Sequence, residues 1–470
     1  TQQENLLVVR VDGQLAFDRV PPGNITGEDQ HFFAGHAGNF PQAQFDFFPF
    51  CGIHRPVYLV ASPQGGIDDI TLTTSIEGQD GRVDVTVEHS RGTTTAILSG
   101  FGQTIQAQDG RFIIPGARLW SVNTPNLYEL MVTLWDGAQE IDCYTLRVGI
   151  REIKVTGNQL LLNGEPVYLK GFGRHEDFPV TGRGLNLPVV IKDYALLQWI
   201  GANSLRTSHY PYSEEMMQLA DELGFLIIDE TPAVGLYFRE DGLQRRNNLC
   251  RQQIREMIAR DKNHPSVIMW SIANEPHSAQ AEALEAFQDM TDLVRDLDPT
   301  RPVTLASFQG LGEESFDFLD VICLNRYLGW YSQQGQIEKG CELLAMELDA
   351  LHERYEKPII LAEFGTDTLP GWHAQPPEMF SEEYQMEFIT RTIDVLRGKP
   401  YVIGEHIWNM CDFKTSQGIT RMGGINHKGV FTRDRRPKMA AHALRALWTE
   451  GSEIGGWFAR TFGNKNSNSI

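Results

Sequence analysis

The sequence predicts a multidomain β plus α/β protein: sandwich sheets first, then a (β/α)8 TIM barrel. Two observations carry this. Up to about residue 150 the apolar residues come in short β-branched or alternating runs, separated by Gly, Pro, Asn and Asp. Beyond it, eight apolar runs alternate with longer helical segments, as in a barrel of parallel strands. A doubly wound open sheet shares that alternation and is the structural alternative.

In chain order the β runs are LLVVRVD, RPVYLVA, DDITLTTSI, GRVDVTVEHS, GRFIIPG, LYELMVTLW and YTLRVGI. A break at Ala61-Ser62-Pro63-Gln64-Gly65-Gly66 separates a first, incomplete sandwich (1–62) from a self-contained second one (63–150). Residue 1 is Thr, not an initiator Met, and opens almost directly onto a strand pattern. The sequence therefore reads as cut and leaves the compartment open, with the cytoplasm favoured. A first sandwich standing alone would leave strands unpaired.

The barrel (151–470) is read from EPVYLKGFGRH, GANSLRTSHYP, GFLIIDETPA, SVIMWSIANEP, PVTLASF, DVICLNRY, KPIILAEFG and YVIGEHIWN. Between these runs lie amphipathic stretches such as Tyr194 to Ile200, Glu214 to Leu223 and Arg251 to Asp261. Seven runs end in polar or aromatic groups: Arg174-His175, Ser208-His209-Tyr210, Asp229-Glu230, Asn274-Glu275, Asn325-Arg326-Tyr327, Glu363 and Trp408-Asn409. The fifth, PVTLASF, ends blandly. In a barrel these ends share one rim. Burying so many polar groups there is rewarded only if they meet partners or a ligand.

Bulk properties narrow the function classes. With 41 basic against 61 acidic residues the net charge is −20, which argues against a phosphate-backbone partner. No apolar run approaches the roughly 18 to 20 residues of a membrane span. Cys51, Cys143, Cys250, Cys323, Cys341 and Cys411 show no CxxC or CxxH spacing. They are expected to be mostly free and buried rather than a zinc site or a disulfide framework. Asn24-Ile25-Thr26 is a glycosylation sequon.

Glu275 and Glu363 close the fourth and seventh runs, 88 residues apart, on strands that face each other obliquely across a barrel mouth. Two carboxylates about 5 Å apart are what a retaining glycosidase needs. A strand-end acid can equally be an ion-pair partner or a helix cap, as Asp229 and Glu230 illustrate. The residues alone leave both readings open.

WSIANEP and IILAEFGTDT resemble the acid/base and nucleophile segments of glycoside hydrolase family 2. The resemblance continues through FFPFCGIHRPVYL, GFGRHED, GANSLRTSHYPY, RDKNHPSVIMWSIANEP, DVICLNRYLGWY and TSQGITRMGGINHKGVFTRDRRPK. It covers nearly the whole chain and lacks roughly the first two-thirds of the family's jelly roll. It implies that 1–62 is the C-terminal part of a sugar-binding jelly-roll sandwich, 63–150 an immunoglobulin-like β-sandwich and 151–470 the catalytic barrel. It implies Glu275 as acid/base, Glu363 as nucleophile and Asn274 as the amide on the sugar 2-hydroxyl. Tyr327 and Tyr331 are implied near the nucleophile and sugar, Trp408 as a pocket wall, and His175 and Asp46 as sugar-hydroxyl partners. The chemistry requires no metal and no organic cofactor. The acid must keep a proton near neutral pH, which apolar walls and a nearby anion favour. The nucleophile must stay ionised, with Arg206 and the Tyr327 hydroxyl as candidate supports.

The segment Arg421 to Lys438 carries Arg421, Lys428, Arg433, Arg435, Arg436 and Lys438 against only Asp434. Most of these six are expected at the surface. Asn426-His427-Lys428, however, resembles the Asn-x-Lys pair that contacts the sugar carboxylate in glucuronide-cleaving members, and Arg421 resembles a further partner. The substrate implied is a β-glucuronide, cleaved with retention. Rival readings are a galactosidase or galacturonidase of the same family, or a non-catalytic sugar-binding protein. RMGGINHKG holds one residue more than the familiar bacterial form, and Phe364 stands where many relatives have Tyr. The short connection after IIDETPAVGL, helical by about Asn247, predicts an open mouth for bulky aglycones or oligosaccharides. Tetrameric relatives imply a homo-oligomer.

Overall fold

The computed structural model describes residues 6–23, 43, 45–238, 242–416, 418 and 420–449. Seven strands come first: Ile67–Glu77 (β1), Asp80–His89 (β2), Thr93–Gly100 (β3), Gln103–Gln106 (β4), Arg111–Ile114 (β5), Tyr128–Asp136 (β6) and Gln139–Val148 (β7). They form two antiparallel sheets, ordered β1-β2-β5 and β4-β3-β6-β7. Strand alternation sends Val83, Phe112, Leu98, Leu130 and Val132 into the shared core, where each is essentially fully buried. At about 1.5–3 kcal/mol per large apolar side chain, this core justifies a self-contained sandwich.

The described residues among the first 62 differ from the strand pattern of the sequence. Neither Leu6–Asp12 nor Arg55–Ala61 joins a ladder, and Leu6, Val8, Tyr58 and Leu59 are exposed. A strand needs the hydrogen-bonding groups of a neighbour, and among the described residues only single bridges, Gly23 to Ala43 and Phe47 to Thr415, occur in this stretch. The Asn24 sequon lies outside the described residues.

A small antiparallel sheet, Ile153–Thr156 (β8), Gln159–Leu162 (β9) and Glu165–Pro166 (β10), leads into the barrel. The barrel strands and helices alternate as Leu169–Gly173 (β11), Leu187–Ile200 (α1), Ser204–Arg206 (β12), Glu214–Leu223 (α2), Leu226–Glu230 (β13), Leu243–Asp261 (α3), Val267–Asn274 (β14) and Ala281–Leu297 (α4). Val303–Ser307 (β15), Ile322–Asn325 (β16), Ile337–Tyr355 (α5), Ile359–Glu363 (β17), Glu382–Arg397 (α6) and Val402–Ile407 (β18) complete the circuit. All eight neighbouring pairs are parallel, and β11 pairs with β18, Leu169 opposite Gly404, to close it. The closed barrel excludes the open-sheet alternative. Past it come a two-stranded hairpin, Phe413–Lys414 (β19) with Ile425–Asn426 (β20), and Met439–Thr449 (α7).

Helix starts follow local chemistry more than the apolar pattern. Helix α1 begins ahead of Tyr194 because Asn186 caps the Val189 amide and a proline sits in the first turn. Helix α3 begins at Leu243, before both Arg251 and Asn247. Ser213 caps α2, and Gly224, with φ at +77°, ends it. The sandwich docks on the barrel through Trp120, whose indole donates to the Asp221 carbonyl at 2.8 Å. Asn263 also pairs both ways with the backbone of β1. All six cysteines are free: Cys250, Cys323 and Cys411 are buried, Cys341 is half-buried, and Cys51 and Cys143 are exposed.

Candidate active site

The C-terminal rim gathers the strand ends, but not all of them point to one place. Arg174, at the end of β11, turns into the protein to pair with Asp193 at 2.7 Å. Arg326 forks onto Glu347 at 2.6 and 2.5 Å. Thr207 donates to Asp229, which lies away from the mouth in contact with Asp261. The bland fifth strand ends in Ser307, which with Ser278 and Ser315 holds the buried Glu313 under the turn after Glu275. The remaining ends converge.

Glu363, the last residue of β17, is 4% exposed. Its Oε1 accepts from Arg206 Nη2 and its Oε2 from the Tyr327 hydroxyl at 2.7 Å. These are the two supports named from the sequence. Arg206 Nη1 also reaches Asn274 Oδ1 at 3.3 Å. Asn325, opposite Glu363 in the ladder, donates through one amide to Asn274 Oδ1 at 3.2 Å and Glu275 Oε1 at 2.9 Å. A continuous polar chain therefore runs Glu363–Arg206–Asn274–Asn325–Glu275. It holds two carboxyl groups on one rim.

Glu275 leaves β14 with φ at +45°, a left-handed backbone that costs a non-glycine residue about 1–3 kcal/mol. Pro276 follows and cannot continue the ladder. This turn brings an acid from a fully buried strand to the rim. Burial first, and the charge of Glu363 second, raise the Glu275 pKa to about 7, while Asn325 and Arg206 pull it down. Burial and the same anion push the Tyr327 phenol well up, so it remains a donor.

Aromatic groups wall one side. The Trp408 ring stacks on His209 at 4.9 Å and meets His175 edge-on at 5.3 Å. It fits against β11 because Gly173 has no side chain: a Cβ there would sit 2.6 Å from the indole. His175 accepts or donates at Nδ1 with the Tyr210 hydroxyl, 3.0 Å away, and its buried Nε2 has no hydrogen-bond partner. Burial, then His209, push its pKa well down and keep it neutral.

A cationic corner forms beside the two tyrosines. Lys428, 1% exposed, donates to Asp367 Oδ2 and to the Tyr331 hydroxyl at 2.7 Å, over whose ring it lies at 4.7 Å. Arg421 donates to the same hydroxyl at 3.0 Å and forks onto Asp46 at 2.9 and 2.8 Å. Asn426 Nδ2 also goes to Asp46, at 2.6 Å, while its Oδ1 accepts the Lys428 amide. Burial works against the Asp46 charge, but Arg421 and Lys428 more than offset it and lower its pKa. Asp367 behaves the same way, with Lys428 before Arg421.

The basic segment corrects one expectation. Arg421, Lys428, Arg435 and Lys438 are buried, and only Arg436 is exposed. Each buried cation has a carboxylate: Asp46, Asp367, Asp193 and Asp412. Sequence reasoning missed Asp367 and the use of Glu230. Asp367 stood in the quoted IILAEFGTDT, four residues past Glu363, as an acid with no assigned task.

Residues 153–451 match the family described as Glycosyl hydrolases family 2, TIM barrel domain, and residues 66–151 match Glycosyl hydrolases family 2. The chain is 42% identical to a β-glucuronidase of Paenibacillus borealis, covering 96% of this chain and 78% of that protein. It is 39% identical to the β-glucuronidase of Rattus norvegicus, covering 96% and 72%. Among solved structures, the β-D-glucuronidase of Dictyoglomus thermophilum superposes with a TM-score of 0.87 at 42% identity, over 93% of this chain and 77% of that one. A Ruminococcus gnavus β-glucuronidase in complex with C6-substituted uronic isofagomine gives 0.86 at 38% identity, over 92% and 76%.

Proposed function

The chain belongs to glycosyl hydrolase family 2, and from that premise we propose how it works as a retaining β-glucuronidase. Glu363 attacks the anomeric carbon while the bond from that carbon to the aglycone oxygen breaks, and Glu275 gives its proton to the departing oxygen. Water then attacks the glycosyl-enzyme. Glu275, now a carboxylate, takes the proton from that water as the bond to Glu363 breaks, and the configuration at the anomeric carbon is retained.

The observation that carries this reading is the contrast between the two carboxyl groups. Glu363 is held by a guanidinium and a phenol, whereas Glu275 keeps its proton to about 7. One is equipped to attack and the other to donate. Asn274, oriented by Arg206 and Asn325, is assigned to the sugar 2-hydroxyl, a bond that tightens as the ring flattens toward the transition state. His175 offers an unpartnered Nε2 to a sugar hydroxyl, with Asp46 a second such partner and Trp408 the wall beneath. Lys428, supported by Asn426 and Arg421, receives the uronate. Asn426 Nδ2 and the Arg421 fork are engaged by Asp46, and Lys428, engaged by Asp367 and Tyr331, keeps the third N–H of its ammonium for the uronate. Residues 1–62 are assigned to the end of a jelly roll, 63–150 to the immunoglobulin-like sandwich and 151–470 to the catalytic barrel. A homo-oligomer is proposed from the family resemblance, with sedimentation velocity as its test.

The deciding experiment compares p-nitrophenyl β-glucuronide, β-galactoside, β-galacturonide and β-glucoside, with the intact protein and with Lys428→Ala. A charge-assisted contact of about 1.5–3 kcal/mol predicts a loss of roughly ten- to a hundredfold for the glucuronide and none for the glucoside. Equal losses on both would remove the assignment of Lys428 to the carboxylate.

A further inference from the structure

Glu230 ends β13 fully buried, between β12 and β14. Both of its oxygens accept from Arg206 Nη1 at 2.7 Å. Oε1 also accepts the His209 amide at 2.8 Å, and Oε2 the hydroxyl of Ser271, its ladder partner on β14, at 2.8 Å. The other terminal nitrogen of the same guanidinium, Nη2, serves Glu363. One cation is thus divided between two carboxylates.

We propose that Glu230 is a positioning residue for the nucleophile, acting through Arg206 and His209. The proposal rests on the reading of Glu363 as nucleophile. A guanidinium given wholly to Glu363 would keep it ionised but would draw charge from the oxygen that must attack. Sharing the cation keeps the anion while leaving it reactive. Glu230 also fixes a second group. His209 Nδ1 lies 3.2 Å from Glu230 Oε1, and a carboxylate can only accept, so the proton sits on Nδ1. Nε2, on the other side of the ring, lies 3.9 Å from Glu363 Oε1. Glu230 is the right species for both tasks. Burial disfavours its charge, but Arg206 and His209 more than offset that and lower its pKa.

The charged and titratable groups facing Glu363 are Arg206 and His209 from β12 and its loop, Glu230 from β13, Glu275 after β14 and Tyr327 after β16. Among them only Glu230 acts on Glu363 through a shared partner without itself bonding to the rim's other carboxyl.

The test is the pH dependence of p-nitrophenyl β-glucuronide hydrolysis by Glu230→Gln, which keeps the shape and removes the charge. We expect kcat to fall roughly a hundredfold, the scale of a catalytic group displaced by about 1 Å, with KM changed by less than about threefold. The acid limb of kcat/KM moves to lower pH, because Arg206 then gives its whole charge to the rim. The basic limb, set by Glu275, moves down by less, because Arg206 bonds Glu363 directly and acts on Glu275 only at longer range. A uniform loss with both limbs unmoved, or a loss carried wholly by KM, overturns the proposal. If Glu230→Gln fails to fold by tryptophan fluorescence, Ser271→Ala decides. It removes a donor and no charge, Glu230 then draws Arg206 harder, and the acid limb moves up. An unmoved limb in that variant overturns the proposal as well. Wild-type protein that cleaves no glucuronide refutes the functional reading instead, before any variant is compared.

Discussion

Replacing Glu363 with Gln tests how the proton on Glu275 is held. The Glu275 pKa stands at about 7 against an ordinary 4.5, first from burial and then from the Glu363 charge. At 1.36 kcal/mol per pH unit, a rise of this size amounts to about 3 kcal/mol against ionisation. Glu363→Gln preserves the shape and removes the anion, so the second cause disappears and the first remains. Arg206, released from one of its two carboxylates, adds a further pull downward. Glu275 should then titrate between the ordinary value and about 7. The assay is a titration of glutamate labelled with 13C at the carboxyl, with Glu275→Gln assigning the resonance. On the proposed mechanism the same proton sets the basic limb in the wild type. The acid is needed protonated, so kcat/KM is full below about 7 and falls as pH rises through it. A Glu275 that titrates at or above 7 in Glu363→Gln, or a wild-type profile flat to about pH 9, would refute the reasoning.

Glu363→Ala should abolish turnover of aryl glucuronides, with added azide restoring part of it as glycosyl azide. No rescue would sink the nucleophile assignment. Asp193 sits between Arg174 and Arg435, at 2.7 and 2.9 Å, all three buried. Asp193→Ala leaves two uncompensated guanidiniums and should cost about 3–5 kcal/mol in urea unfolding, and a loss under about 1 kcal/mol would contradict that account. The connection from β13 to α3 spans only residues 231–242. A glucuronide-terminated oligosaccharide should therefore be cleaved at least as efficiently as a small aryl glucuronide, and a strong preference for the aryl substrate counts against an open mouth.

Much of the site could be read from the chain because barrel strands write their function at one end. Glu275 and Glu363 were visible as acids that terminate apolar runs, and Arg206 was visible as a cation ending another. What the runs could not show was direction beyond the last strand residue. Arg174 and Arg326 end their runs much as Arg206 does, yet they turn to Asp193 and Glu347. Those partners lie on helices α1 and α5, whose approach is set by packing rather than by local pattern. The division of Arg206 between Glu230 and Glu363 was hidden for a similar reason: it joins β13 to β17 across the closed circle. The basic segment misled because charge usually means surface, and its four buried cations are explained only by carboxylates far away in sequence. The first 62 residues read as strands from composition, but a ladder depends on a neighbour that composition does not describe.

The cationic corner draws Asp46 from near the start of the chain and Arg421, Asn426 and Lys428 from beyond the last barrel strand. The two carboxyl groups lie in between, on β14 and β17. In the order of synthesis, a ribosome that has just released Ile407 has made both glutamates and none of the three residues that would grip a uronate. On the proposed assignment, the chemistry is therefore encoded before the choice of substrate. A single proteolytic cut in the hairpin between Lys414 and Ile425 would loosen the choice while leaving every barrel strand covalently intact.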